Sequence, residues 1–185
     1  METKKEIRKR ALAERARLKK EERERACVLV TERILGHQWF YGAESILGFA
    51  GFGSEIDTSE LLKEALRTGK RLYLPRVEGE IMNFYRVRSL GDLISGYKGI
   101  LEPLPGTEAY EYSHENAQRT LMLMPGAAFD GMRGRLGYGK GFYDKYLADK
   151  PALQLRTIAI GFRCQMVEEI PMEERDIRPC QVICC

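Results

Sequence analysis

Hydrophobic residues recur at helical spacing through the first part of the chain. Ile7, Val30 and Ile34 are among the apolar positions of residues 3–36, which contain few residues that break helices. The charge-dense segment LKKEERE (18–24) interrupts this apolar pattern. The spacing therefore predicts helix over this stretch, divided into two helices at the charged segment.

Short apolar runs bounded by glycine or polar residues predict strands in the rest of the chain. The predicted strands are SILGFAG (45–51), RLYLPRV (71–77), MNFYRV (82–87), TLMLMPG (120–126), RTIAIGF (156–162) and a final QVIC. Between the first two, Asp57 and Glu60 have the spacing of a capping box, and Gly69 suits the helix end. Residues 88–118 show no clear period.

Strand, loop, helix and strand within some thirty residues form a βαβ unit, which requires parallel strands. The pattern predicts an α/β fold: a three-layer sandwich with a mainly parallel central sheet, Rossmann-like, with helices on both faces. In such sheets, ligands gather beyond the carboxyl ends of the strands. The loops 51–57 and 126–141 lie at such ends.

Length and composition fit a globular protein with one domain, residues 1–185. Hydrophobic residues make up 44% of the chain and charged residues 31%, which argues against a disordered or fibrous protein. No apolar run reaches the roughly 18 residues of a membrane span, and the N-terminus is charged where a signal peptide would be apolar. We expect a cytoplasmic, monomeric protein with no membrane partner. The five cysteines lack metal-binding spacing, which argues against a zinc site.

Positive charge is concentrated at the N-terminus. Residues 1–25 hold eleven Lys and Arg against six Glu, whereas the other 160 residues hold nineteen basic and twenty-one acidic residues. Such a stretch suits phosphate, on nucleic acid or on a small anion, or is the solvated face of a helix. A nucleic-acid-binding module is disfavoured because aromatic residues are not interleaved with the basic run and no binding motif is present. We therefore expect no nucleic-acid partner.

A glycine-rich segment, GRLGYGKG (134–141), precedes the predicted helix FYDKYLA. Its four glycines allow backbone N–H groups to approach an anion, and Arg135 and Lys140 add positive charge. Phosphate is the natural ligand of such a segment, although a flexible turn has the same pattern. Gly141 stands where a P-loop carries Ser or Thr, and the spacing of a dinucleotide fingerprint is absent.

Other charged residues are candidates for the same site. Asp144 either holds Mg²⁺ or complements the dipole of its helix. Lys4 and Arg8, four residues apart, share a helical face and could contact a triphosphate. Glu55, at the end of a strand, is either a solvated acid or a group that accepts hydrogen bonds from a ligand's N–H groups.

The segment MPGAAFDGMRGRLGYGKGFYDKYL resembles the signature of the 5-formyltetrahydrofolate cyclo-ligase family, also called 5,10-methenyltetrahydrofolate synthetases. The likeness extends in order to KKEIRKR, GSEIDTSELL, GKRLYLP and ERDI, and so covers nearly the whole chain. The resemblance implies an ATP-dependent ligase of folate and one-carbon metabolism. Its substrates would be ATP and 5-formyltetrahydrofolate, its cofactor Mg²⁺, and its products 5,10-methenyltetrahydrofolate, ADP and phosphate.

The resemblance also implies roles for individual residues. Arg135 and Lys140 would be catalytic residues. Asp144 and Asp176 would bind magnesium. The implied ATP-binding residues are Lys4, Arg8, Arg135, Leu136, Gly137, Tyr138, Gly139, Lys140, Gly141, Phe142 and Tyr143. The implied substrate-binding residues are Ala50, Glu55, Tyr138 and Phe142.

Two positions depart from the family pattern: Phe142 replaces a frequent Tyr, and Cys184 lies near a common Thr.

A small-molecule kinase that uses the same glycine-rich segment remains the alternative. The two enzymes differ in their product, a methenyl chromophore for the cyclo-ligase and a stable phosphorylated compound for the kinase.

Overall fold

The structure, a computed structural model, describes residues 2–185 and contains a helical N-terminal region followed by alternating strands and helices. The helices are α1 (Lys4–Arg17), α2 (Lys20–Leu35), α3 (Gln38–Gly42), α4 (Ser59–Arg67), α5 (His114–Gln118), α6 (Phe142–Leu147) and α7 (Pro151–Gln154). The strands are β1 (Ser45–Leu47), β2 (Arg71–Glu78), β3 (Ile81–Val87), β4 (Ile94–Ser95), β5 (Leu101–Glu102), β6 (Thr120–Met124), β7 (Ala128–Asp130), β8 (Arg135–Leu136), β9 (Thr157–Gly161), β10 (Met166–Val167) and β11 (Gln181–Cys184).

The central sheet has six strands in the order β11-β9-β6-β1-β2-β3. All neighbours are parallel except β2 and β3, which pair antiparallel. Numbered by their order along the chain, these strands follow the 3-2-1-4-5-6 arrangement of doubly wound folds. The predicted Rossmann-like, mainly parallel sheet is therefore confirmed.

Helices cover both faces of this sheet because alternate strand residues point to opposite sides. On one face, α2, α3 and α4 pack against strand side chains such as Ile46, Leu72, Leu121 and Ile158. On the other face, α5, α6 and α7 pack against residues such as Leu47, Met122, Met124 and Ala159. Strands buried on both sides read as continuous apolar runs, which explains why the sequence pattern identified them.

Helix α1 lies apart from these layers, against a smaller sheet of β10, β7 and β8. Ile7 and Ala11 pack with Ala128, Leu136 and Ile170. The small sheet includes the hairpin β7–β8, so the prediction of a loop over 126–141 is wrong for residues 128–130 and 135–136. Each of its strands is only two or three residues long and leaves too little periodicity to detect.

Further details of the sequence prediction hold or fail locally. The N-terminal helix does divide, since α1 ends at Arg17 and α2 begins at Lys20. The prediction of a capping box formed by Asp57 and Glu60 before α4 is wrong. Thr58 is the N-cap, and the side chain of Asp57 accepts a hydrogen bond from the backbone N–H of Ser59 at 2.9 Å.

No helix of residues 2–185 combines the length and apolar character that crossing a bilayer requires.

The turn between β7 and β8 depends on the carboxylate of Asp130, which is 2% exposed. Its Oδ1 accepts from the backbone N–H groups of Met132 at 2.9 Å and Gly134 at 2.6 Å. Its Oδ2 accepts from the N–H of Ile170 at 2.9 Å, which joins the hairpin to the segment after β10. A buried carboxylate is stable only with such partners.

We predict that Asp130→Ala lowers the free energy of unfolding by about 3 kcal/mol or more, because three backbone donors lose their acceptor. Urea denaturation followed by circular dichroism measures the change. The control is Asp149→Ala, since that exposed acid pairs, among the described residues, only with the adjacent Lys150; it should change the same free energy by less than about 0.5 kcal/mol. A loss below about 1 kcal/mol for Asp130→Ala would contradict this role.

Candidate active site

A cavity of about 290 Å³ opens at the carboxyl ends of the central strands. It lies beside the adjacent strands β1 and β6: the chain that leaves β1 continues to β2 on one side, and the chain that leaves β6 continues to β9 on the other. In doubly wound folds this divergence of connections leaves a crevice in which ligands bind. The loop after β1, the glycine-rich segment and the residues around β5 surround the cavity.

The glycine-rich segment forms one wall of the cavity. Gly139 and Gly141 have backbone φ values of +102° and +66°, which residues other than glycine rarely adopt. Arg8 on α1 donates from Nε to the carbonyl oxygen of Gly137 at 2.8 Å and so attaches the helix to this segment. Lys140 is exposed at the rim of the cavity and forms no ion pair within the described chain.

Arg135 and Asp144 form an ion pair in the floor of the cavity. The Arg135 side chain is 2% exposed, and its Nη2 lies 3.2 Å from Oδ1 and 3.1 Å from Oδ2 of Asp144. Its Nη1 donates to the carbonyl oxygen of Pro125, and its guanidinium lies 5.3 Å from the ring centre of Tyr143. The Nε of Arg135 is buried without a hydrogen-bond partner.

The opposite wall is the loop after β1. The hydroxyl of Thr58 donates to the carbonyl oxygen of Phe49, and the N–H of Gly51 donates to that hydroxyl, which holds the loop closed. Glu55 Oε2 accepts from the N–H of Phe52 at 2.9 Å. Ala50 and Glu55 both line the cavity.

Tyr138 extends from the glycine-rich segment toward this wall. Its hydroxyl donates to the carbonyl oxygen of Gly126 at 3.2 Å and accepts from Nη1 of Arg15 at 2.7 Å. Burial, together with the nearby Glu55 carboxylate, raises the pKa of the Tyr138 phenol. The hydroxyl therefore keeps its proton at neutral pH and can act as a donor.

The region 88–118, whose sequence shows no clear period, supplies another side of the cavity. Tyr97 meets Phe142 edge to face, with ring centres 6.0 Å apart. The buried Glu102 accepts from the N–H groups of Val77 at 3.3 Å and Tyr97 at 3.2 Å. These short elements show no periodicity, so the sequence pattern did not identify them.

Two residues implied to bind ATP and metal pair with each other instead of lining the cavity. Lys4 Nζ lies 2.6 Å from Oδ2 of Asp176 and 3.0 Å from Oε1 of Glu173. Asp176 is nonetheless close to the other implied metal ligand, because the N–H of Ile177 donates to Oδ1 of Asp144 at 3.1 Å. Residues 2–185 contain no group of three His, Cys, Asp or Glu that could hold a metal ion by themselves.

Most of the implied site residues meet around the cavity. Those that line it are Ala50, Glu55, Arg135, Gly137, Tyr138, Lys140, Gly141, Phe142, Tyr143 and Asp144. Leu136 is instead buried under α1, and Gly139 lies against the guanidinium of Arg8. Sequence reasoning missed several lining residues, among them Arg15, Phe49, Phe52, Tyr97, Lys98 and Glu102.

Comparison with known proteins identifies the family to which this arrangement belongs. The sequence model of the 5-formyltetrahydrofolate cyclo-ligase family matches residues 1–184. The chain belongs to this family. It is therefore an enzyme of the ligase class, as the signature around the glycine-rich segment implied.

Individual relatives agree with the family. A probable 5-formyltetrahydrofolate cyclo-ligase of Caenorhabditis elegans is 29% identical over 98% of this chain and 92% of its own length. The 5-formyltetrahydrofolate cyclo-ligase of Escherichia coli K12 is 31% identical over 73% of this chain and 74% of its own length.

Solved structures give the same result for the fold. The NMR structure of 5,10-methenyltetrahydrofolate synthetase from Aquifex aeolicus has a TM-score of 0.78 and 32% identity, covering 95% of this chain and 86% of that one. A 5,10-methenyltetrahydrofolate synthetase from Mycoplasma pneumoniae has a TM-score of 0.74 at 19% identity, covering 97% of both chains. At that identity the second likeness shows the shared fold alone.

The ion pair in the cavity floor should couple the two residues energetically. We predict that a double-mutant cycle of Arg135→Met and Asp144→Asn gives a coupling free energy of about 1 to 2 kcal/mol, because both groups are largely removed from water. Urea denaturation of the four proteins measures it.

The matched cycle uses Arg17→Met and Glu14→Gln, an ion pair on α1 whose side chains are 75% and 47% exposed. Solvent screening should hold its coupling below about 0.5 kcal/mol. Equal coupling in the two cycles would show that burial adds nothing to the cavity pair.

Proposed function

We propose that the protein converts 5-formyltetrahydrofolate to 5,10-methenyltetrahydrofolate, with ATP hydrolysed to ADP and phosphate. The observation that carries the proposal is one cavity bounded by two different kinds of wall. One wall offers glycine backbone and the cations Arg135 and Lys140, which suit phosphate. The other offers Glu55 beside apolar and aromatic side chains, which suit a flat, nitrogen-rich ring.

The chemistry explains why both ligands must meet. An amide-like formyl oxygen is a poor leaving group, and phosphorylation converts it to a good one. In the proposed first step, the formyl oxygen bonds to the γ-phosphorus of ATP and the bond from that phosphorus to ADP breaks. N10 then bonds to the formyl carbon and loses its proton, and the carbon–oxygen bond breaks as phosphate leaves. The methenyl bridge between N5 and N10 is the product.

The cavity supplies what such phosphoryl transfer needs, which is mainly positioning and charge neutralisation. Lys140 has no carboxylate partner among residues 2–185 and can approach the phosphates from the rim. The Arg135 guanidinium is fixed by Asp144 and by the Pro125 carbonyl oxygen, so it offers positive charge without reorganising. Glu55, held by the N–H of Phe52, keeps acceptor capacity for the N–H groups of the ring.

The acidic residues fit a magnesium ion held mainly by the nucleotide. Mg²⁺ commonly takes one or two protein carboxylates together with phosphate oxygens and water. Asp144 lines the cavity, and the chain brings Asp176 near it through Ile177, so these two would hold the ion. When bound, the ion would neutralise phosphate charge during transfer.

An absorbance assay tests the proposal on the purified full chain. With 5-formyltetrahydrofolate, ATP and Mg²⁺, the methenyl chromophore should grow, and one ADP should appear for each methenyl product. Omission of ATP should abolish the signal. ADP release with a stable phosphorylated product and no chromophore would favour a kinase and contradict the proposal.

We predict that Lys140→Ala raises the KM for ATP by about tenfold or more and the KM for 5-formyltetrahydrofolate by less than about twofold. The reason is the loss of a charged hydrogen-bond donor beside the glycine-rich segment. Steady-state kinetics with each substrate varied in turn measure both values. The matched variant is Lys145→Ala, an exposed lysine on the neighbouring helix α6 that does not line the cavity; equal effects of the two variants would remove Lys140 from the site.

A further inference from the structure

Arg15 lies on the buried face of helix α1, where the other buried residues are apolar. The buried residues of this helix are Ile7, Ala11 and Arg15, spaced four residues apart along one face. The first two pack on the small sheet, whereas the third is an arginine that is only 6% exposed. Burying a guanidinium is unfavourable unless an anion or several acceptors compensate it.

Within residues 2–185, the partners of Arg15 are neutral. Its Nε donates to Oγ of Ser54 at 3.0 Å and its Nη1 to the hydroxyl of Tyr138 at 2.7 Å. No carboxylate of the described chain lies within 4.0 Å of it. Arg135 has Asp144 in direct contact, whereas Arg15 forms no such ion pair.

Arg15 also connects the two walls of the cavity and lines it. Ser54 belongs to the loop after β1, next to Glu55, and Tyr138 belongs to the glycine-rich segment. The two hydrogen bonds use Nε and Nη1 and fix the plane of the guanidinium. No bond within the described chain uses Nη2, and that atom is absent from the buried atoms that lack a partner.

The charges around the cavity do not balance. Its lining contains four cations and three carboxylates. Arg135 pairs with Asp144, and Glu102 lies 3.7 Å from Arg76 outside the lining. The cations that remain are Arg15, Lys98 and Lys140, against the single carboxylate of Glu55. A cavity with this excess is suited to a ligand that carries negative charge.

We propose that Arg15 binds an oxyanion of a substrate directly, through the guanidinium that Ser54 and Tyr138 hold in place. The oxyanion is a phosphate of ATP or a carboxylate of the folate, since both present charged oxygens to the same donors. This inference relies on the proposed function only for the identity of the substrates. It adds a ligand-binding residue to a helix whose charges looked like a solvated face.

Arg15→Gln separates this role from that of a structural tie between the two walls. Glutamine keeps a polar side chain able to donate to Ser54 or Tyr138 but has no charge. Isothermal titration of the full chain with ATP, inorganic tripolyphosphate and 5-formyltetrahydrofolate gives three dissociation constants. We expect at least one of these constants to rise by about tenfold or more, because the substitution removes a charged hydrogen-bond donor. Arg15→Lys should recover part of the affinity, because it restores the charge without the planar fork.

The pattern among the three probes identifies the oxyanion. Weaker ATP and tripolyphosphate binding assigns Arg15 to the nucleotide, and weaker folate binding alone assigns it to the substrate carboxylate. The control is Arg17→Met on the same helix, which removes an exposed arginine paired with Glu14 and should leave all three constants within about twofold of the parent. Three unchanged constants in Arg15→Gln would overturn the proposal.

A second measurement decides the matter if the glutamine variant does not fold. The side-chain Nε–Hε NMR resonance of Arg15 in the unaltered chain, assigned by its disappearance in Arg15→Lys, should shift when one of the probes saturates. An unmoved resonance with all three probes overturns the proposal. The absorbance assay could fail while Arg15→Gln still raises the dissociation constant for tripolyphosphate. That combination would reject the proposed reaction and leave the anion-binding role of Arg15 supported.

Discussion

The parallel pairing of β1 with two neighbours determines where this protein can hold a ligand. Ser45 is in register with Arg71 of β2 on one side and with Thr120 of β6 on the other. Because all three strands run the same way, the chain segments that leave β1 and β6 emerge at one edge of the sheet. The loop with Glu55 and the segment that leads to Arg135 therefore face each other, although 80 residues separate them in the sequence.

Helix α1 shows how charge and packing are divided between structure and ligand binding. Ile7 and Ala11 attach it to the small sheet, which also supports the glycine-rich segment. Arg8 then reaches the Gly137 carbonyl oxygen, and Arg15 reaches Ser54 and Tyr138. Helix α1, which has an excess of basic residues, therefore packs with part of its positive charge facing the cavity. Lys4 contributes differently, since it pairs with Asp176 beyond the cavity lining.

The elements that sequence predicted well are those with a long or uniform pattern. Strands β6 and β9, buried at every position, and the divided N-terminal helix follow from burial alone. The hairpin β7–β8 and the elements of 88–118 escaped prediction because their strands are two or three residues long. Their geometry depends on distant partners instead: Asp130 accepts from Ile170, and Glu102 accepts from Val77. The local spacing of apolar residues gives no information about such contacts.

The sequence by itself determined the family, the doubly wound fold and the chemical character of the site, because these depend on residue types at fixed spacing. Glycines beside Arg135 and Lys140 favour an anion as ligand. Only the tertiary structure decided which charges remain available. Asp144 is joined to Arg135 and Asp176 to Lys4, whereas Arg15 is buried among neutral hydroxyls. Whether a charge is neutralised depends on distances of a few ångströms between segments far apart in the chain, and spacing along the sequence does not encode those distances.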